Sequence, residues 1–255
     1  MSRISEAFLH KKVFIPFITG GDPDIETTEK LIRVLAGAGA GAIEIGIPFS
    51  DPIAEGPVIQ SADERALRAG CTVDKLFTLV KRLRRDITVP LLFMTYYNPI
   101  FGYGVERFVD NCKDCGIDGL IVPDLPFEER AELLAPANAR GVELISLIAP
   151  TSDERIDAIA RKSQGFLYCV SSLGVTGERA ELGNAAKRMV ERAKRVTDTP
   201  CAVGFGVSNA EQAKEIAQFA DGVIIGSAIV KLVEIYGRDS EQPVFQFAKA
   251  IVDEL

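Results

Sequence analysis

Eight short apolar runs, each followed by an amphipathic stretch, constrain this chain more than any other feature. The runs are "VFIPFI" from Val13, "AIEIGI" from Ala42, "VPLLFMT" from Val89, "GLIVP" from Gly119, "VELISLI" from Val142, "FLYCVS" from Phe166, "CAVGFG" from Cys201 and "GVIIGS" from Gly222. Each is too short and too rich in β-branched or aromatic residues for a buried helix, so each reads as a buried strand. Between them lie helical patterns such as "IETTEKLIRVLAGAG", "FEERAELLAPANARG" and "NAEQAKEIAQFA", several opening after Asp, Asn or Ser and closing near glycine. Eight β-then-α units imply right-handed parallel crossovers. The expected fold is a (β/α)8 barrel; a doubly wound open sheet is second, disfavoured because no GxGxxG follows the first strand. The 255 residues suit such a barrel, and no linker or low-complexity segment divides them, so one domain over 1–255 is expected.

Several function classes drop out early. The net charge is −7, and the one basic run, "KRLRR" at Lys81 to Arg85, reads as the solvated C-terminal end of a helix. Binding to nucleic acid or to an anionic membrane is not expected. No apolar segment approaches the roughly 18 residues of a membrane span, and the N-terminus lacks a signal-peptide pattern, so a cytoplasmic protein is expected. An odd, scattered set of 5 cysteines points to reduced thiols. Cys112 and Cys115 form a CxxC, but it falls late in a helical pattern, and the only histidine, His10, is far away. A structural reading is preferred, with no metal expected. With one histidine, any proton transfer falls mainly to carboxylates.

Two carboxylates stand out in "GAIEIGIPFSDPIAEGP", Gly41 to Pro57. Side chains alternate along a strand, so Ile43, Ile45 and Ile47 face the helical shell while Ala42, Glu44 and Gly46 face the barrel interior. The small neighbours leave room beside Glu44 for a ligand, and apolar surroundings should raise its pKa into a range useful for acid–base work. The bland alternative is a structural ion pair. Glu55 sits in the turn-rich loop "SDPIAEGP" and is expected to stay ionised, suited to holding a hydrogen-bond donor. Asp51, before a proline, reads as a turn residue.

The opposite end of such a site is also visible. After the seventh run comes "GFGVSN", with Phe205 and Gly206; after the eighth, Gly226 and Ser227 open an apolar helix. In barrels these two loops and a helix N-terminus often bind phosphate through backbone N–H groups. Ser227 as a mere N-cap is the alternative. A long polar loop with Gly174, Gly177 and Gly183 follows the sixth run; a closing lid and a plain surface loop fit it equally.

Together these segments resemble the α subunits of tryptophan synthase. The likeness runs through "PFITGGDP" at Pro16, "IEIGIPFSDPIAEGPVIQ" at Ile43, "MTYYNPI" at Met94, "VPDLP" at Val122, "GVTG" at Gly174, "GFGVS" at Gly204 and "GSAIVK" at Gly226. The resemblance implies a (β/α)8 TIM barrel with an extra N-terminal helix and a short phosphate-binding helix after strand eight. It implies a carbon–carbon lyase that splits indole-3-glycerol phosphate into indole and glyceraldehyde 3-phosphate, without cofactor or metal. By it, Glu44 is the general acid–base and the carboxylate at position 55 holds the indole N–H. Phe17, Ile59, Met94, Tyr96 and Phe205 surround the indole. Tyr168 lies near Glu44, Gly177, Gly206, Gly226 and Ser227 hold phosphate, and Thr176 belongs to the closing loop. The implied partner is the pyridoxal-phosphate-bearing β subunit in an α2β2 assembly, reached through the loops of Asp51 and "VPDLP".

One departure stands in the pattern: the family ordinarily has aspartate where this chain has Glu55. A longer carboxylate requires a compensating backbone shift, an enzyme dependent on β activation, or a changed substrate; the first two agree better with the rest of the pattern. A stand-alone indole-glycerol-phosphate lyase and a catalytically weakened barrel that only activates β are the rival expectations.

Overall fold

The computed structural model describes residues 1–9, 11–170, 179–204 and 206–255. Strands β1 (Val13–Thr19), β2 (Ile43–Gly46), β3 (Leu91–Met94), β4 (Gly119–Ile121), β5 (Glu143–Ile148), β6 (Leu167–Val170), β7 (Cys201–Gly204) and β8 (Gly222–Ile225) pair in parallel as a closed barrel in sequence order. The ring closes through β1 and β8, with Phe14 opposite Val223 and Pro16 opposite Ile225. All eight apolar runs are therefore strands, and helices occupy the stretches between them.

Alternation sorts the strand residues as the pleat demands. Ile43, Ile45, Phe93, Val203, Val223 and Ile225 pack outward against helices. Val13, Ile15, Ala42, Leu92, Ile121, Ala202 and Ile224 fill the barrel interior. The N-terminal helix Arg3–Ala7 closes the lower end, inserting a fully buried Ile4 and packing Phe8 against Phe166 at 5.7 Å between ring centroids. The interior is thus solid below and open only above, where strand C-termini and the following loops meet.

Helix boundaries follow their caps. Asp24 accepts the Thr27 N–H at 2.7 Å to start Ile25–Ala38, which ends at left-handed Gly39. The "FEERAELLAPANARG" segment differs from expectation: residues 127–130 form turns, and the helix starts only at Ala131. No Ser, Thr, Asp or Asn stands at its head to cap an earlier start.

The basic run also differs. Lys81 and Arg82 end the helix Val73–Leu83, but Arg84 is partly buried, ion-paired with Asp118, and donates to the carbonyls of Gly116 (2.8 Å) and Val89 (2.7 Å). It ties helix, loop and β4 together rather than meeting solvent. Cys112 and Cys115 lie in the helix Val105–Cys115 as buried free thiols; burial pushes both pKa values up, that of Cys115 to about 11. All five cysteines are free and buried. Among the described residues no helix is long and apolar enough to cross a membrane.

Candidate active site

Glu44 occupies the middle of β2, level with Phe17 on β1 and Leu92 on β3. It is fully buried, and neither carboxylate oxygen has a hydrogen-bond partner. Burial alone raises its pKa well above the ordinary glutamate value, which favours the neutral acid. An unpaired carboxyl in this position would cost several kcal/mol if ionised.

The space beside Glu44 arises differently from the sequence expectation. A Cβ on Gly46 would lie 2.6 Å from Phe17 Cζ, so the Phe17 ring, not a ligand, fills that notch. The same ring leaves a Gly226 Cβ only 3.2 Å of clearance. Across the barrel, Gly204 makes room for Tyr168, whose hydroxyl would lie 2.6 Å from an added Cβ. Three glycines at or just past strand ends therefore seat the two aromatic walls of the site. Above them opens a cavity of about 560 Å3, lined by Phe17, Glu44, Glu55, Ile59, Met94 and Tyr168 at one end. Tyr168 is buried, and its phenol pKa is raised by burial and then by the nearby Glu44.

Glu55 reaches the same cavity from the loop after β2. The expectation that it remains ionised is corrected: burial, with a smaller contribution from Asp124, lifts its pKa to about 7. The loop is turn-rich but folded inward, so the carboxyl is partly withdrawn from water. Tyr96, expected beside the indole, is buried and touches Glu55. Its hydroxyl donates to Glu55 Oε2 and accepts the Ala54 N–H at 2.8 Å, while its ring packs on Phe49 at 5.4 Å. Gln60 Nε2 donates to the Glu55 carbonyl at 2.8 Å, fixing the loop from the other side.

The far end of the cavity is lined by Gly206, Ser208, Gly226, Ser227 and Lys231. Gly206 has φ of 80°, a left-handed conformation that favours glycine, with open space where a Cβ would stand. The helix Ser227–Tyr236 begins with Gly226 as its N-cap, so Ser227 is the first helical residue rather than the cap. The Ile229 and Val230 amides are the first to bond back, to Gly226 O at 2.9 and 3.0 Å. The Ser227 and Ala228 amides precede that first bond and belong to the helix end that favours anions. Thr176, Gly177 and Phe205, together with the loop carrying Gly174, lie outside the described residues.

Two groups at this site escaped the sequence reading. Asp63, in the helix Pro57–Arg68, is 5% exposed; burial and then Glu55 raise its pKa to about 7, against a Phe49 backbone hydrogen bond that lowers it. Its position four residues after Ile59 and three before Ala66 puts it on the apolar face, a signal helical periodicity could have given. Lys231, one turn after Ser227, adds a cation at the anion end; its i+4 spacing was legible but looked like any exposed helix lysine. Among the described residues no group of three or more His, Cys, Asp or Glu could hold a metal ion.

Fold and cavity together define a class: a parallel (β/α)8 barrel with protonatable carboxyls and aromatic walls at one end of a mouth cavity, and a glycine turn and helix N-terminus at the other. The model of the tryptophan synthase alpha chain family matches residues 6–254, and the chain belongs to that family. The alpha chain of Lacticaseibacillus casei is 47% identical over 251 residues, 98% of this chain and 94% of its own length. Among solved structures, tryptophan synthase subunit alpha from Legionella pneumophila has a TM-score of 0.90 at 36% identity, covering 100% of this chain and 98% of that one. The tryptophan synthase complex from Pyrococcus furiosus contains a chain with a TM-score of 0.87 at 38% identity, covering 95% and 99%.

Proposed function

We propose that this chain, acting as one barrel domain over residues 1–255, cleaves indole-3-glycerol phosphate to indole and glyceraldehyde 3-phosphate by retro-aldol reaction. The observation that carries this reading is Glu44: a fully buried, partnerless carboxyl on the wall of a cavity that ends in a glycine turn and a helix N-terminus. In this reading the Gly206 turn and the Ser227 and Ala228 amides hold the phosphate, with Lys231 adding positive charge. Phe17, Ile59, Met94 and Tyr168 enclose the indole, and Phe205, Thr176 and Gly177 complete the site from segments outside the described residues.

The neutral Glu44 acid gives its proton to indole C3. The bond from C3 to the glycerol side chain then breaks, its electrons returning to the indole ring. The glycerol hydroxyl becomes the aldehyde, and its proton goes back to Glu44. Atoms balance without any cofactor, and the acid is regenerated. Glu55 accepts the indole N–H and offsets the positive charge that develops on the ring. Its pKa of about 7 in the empty site falls when that charge arrives, so ionisation is coupled to reaction. The Tyr96 hydroxyl and the Gln60 contact support the backbone position that accommodates a glutamate.

The second half of the proposal is the partner, a tryptophan synthase β subunit that receives the indole in an α2β2 assembly. Ile53, 80% exposed in the loop that carries Glu55, and Phe101, 63% exposed in the helix Tyr97–Tyr103 after β3, offer apolar anchors beside the cavity mouth. The working compartment in this reading is the cytoplasm, which suits five free thiols. The test is indole release from indole-3-glycerol phosphate by the purified chain, with and without a tryptophan synthase β subunit. Turnover that rises strongly with β supports the reading. Equal turnover without β removes the partner, and no turnover in either condition removes the lyase.

A further inference from the structure

A second chamber, about 630 Å3, shares Glu55, Met94 and Tyr168 with the catalytic cavity and extends over the end of β5. Ser146 lines it together with Leu144 and Ile148, residues of β5 that face the helical shell, so its far end lies outside the barrel interior. Its walls are mostly apolar; besides Glu55 and Tyr168 at the shared end, the polar groups are Ser146, Ser152, Arg155 and Arg130, the last in the turn that precedes the helix Ala131–Arg140. Arg130 is only 9% exposed. Its Nη1 donates to Ser146 Oγ at 2.8 Å and its Nη2 to the Lys162 carbonyl at 3.3 Å, while the guanidinium carbon stands 4.1 Å over the Phe127 ring.

All three partners are neutral. Among the described residues no carboxylate pairs with Arg130; the nearby Arg155, by contrast, is held by Glu128. A buried guanidinium without a counter-ion carries a desolvation penalty of several kcal/mol, which a ring face and two neutral acceptors offset only in part. The fork retains N–H donors beyond the two already used, and it forms part of a cavity wall.

We propose that this chamber is a second ligand site, taking a small aromatic carboxylate whose carboxylate pairs with Arg130 and whose ring lies among Phe127, Leu144, Ile148 and Ile159. A phosphate ester suits it less, because of its two arginines only Arg130 lacks a carboxylate partner, and the walls around it are apolar rather than a glycine turn. An acidic side chain from a partner protein would need no apolar chamber of this size. The site is distinct from the phosphate end of the catalytic cavity, and it stands whether or not the lyase reading does.

The probe is 2-naphthoate, compared with its neutral isostere 2-naphthamide, titrated calorimetrically into the full chain with inorganic phosphate present to occupy the catalytic anion end. Naphthoate should bind at least about tenfold more tightly than the amide, the increment expected of one charge-assisted hydrogen-bonded pair. Arg130→Met should abolish that preference, and Arg130→Lys should keep part of it. Equal affinity of acid and amide for the unaltered chain overturns the proposal without any variant, so a failure of Arg130→Met to fold leaves the test intact. A preference that survives in Arg130→Met, or one that disappears in Ser227→Asp instead, also overturns it, by assigning the anion elsewhere.

Discussion

Replacing Asp63 with asparagine should stabilise the protein, and more so at high pH. The folded pKa of about 7 lies above the ordinary value of 3.8 because burial and the neighbouring Glu55 disfavour the charge. Between those values the folded chain keeps a proton that the unfolded chain has released, so stability falls as pH rises through this window. The full shift is about three pH units, at ~1.36 kcal/mol each, or about 4 kcal/mol above pH 7. Part of the shift comes from Glu55 and residual solvation lowers the cost further, so roughly half of that is assigned to Asp63. The charged groups around it are Glu55, itself near 7, and Asp22, which is ion-paired with Arg65 at 2.8 Å. Asparagine keeps an acceptor for the Phe49 N–H and removes the charge. The gain should be on the order of 2 kcal/mol at pH 8 and about 1 kcal/mol at pH 5. In urea, at a slope of about 3 kcal/mol per molar, the midpoint should rise by roughly 0.7 M at pH 8 and by half as much at pH 5. A gain no larger at pH 8 than at pH 5 would refute the claim that a buried charge is being relieved.

Other substitutions probe the walls and the loop. Gly46→Ala should displace Phe17, since the new methyl would meet Cζ at 2.6 Å; a loss of about 1–3 kcal/mol in chemical unfolding and a raised KM are expected. Glu55→Asp should lose the Tyr96 contact and lower turnover about tenfold, part of the penalty for a misplacement of an ångström; unchanged turnover would mean that this position does not limit the reaction. Ser227→Asp should raise KM for the phosphate substrate by 100-fold or so through like-charge repulsion, while thermal denaturation shows equal or greater stability, because a carboxylate suits a helix N-terminus.

How much of this was legible in the sequence depends on distance along the chain. The strands could be read because each is a local apolar run, and the inward aim of Glu44 followed from alternation between Ile43 and Ile45, which do pack outward. Gly206 and Gly226 were legible as anion-binding candidates because barrel topology fixes where the last two loops meet. The rest depends on contacts between distant segments. The sequence places Tyr96 near the indole but gives no sign of its hydroxyl bond to Glu55, a contact 41 residues apart. The room attributed to Gly46 is taken by Phe17 from the adjacent strand. Glu55 looked exposed because its loop is polar, and only the inward fold of that loop desolvates it. Arg130 sits in a run of charged residues that reads as surface, "FEER", and nothing local marks which member turns inward.

The central claim is that Glu44 moves the proton in the cleavage step. Glu44→Gln keeps the size and polarity of the side chain and removes its proton transfer, so single-turnover cleavage of indole-3-glycerol phosphate in the presence of the β subunit isolates that role. The account expects a rate loss of about 100-fold to 10,000-fold, with substrate binding little changed, the range typical of a lost general acid–base. A glutamine variant that cleaves within a few-fold of the unaltered chain would contradict it.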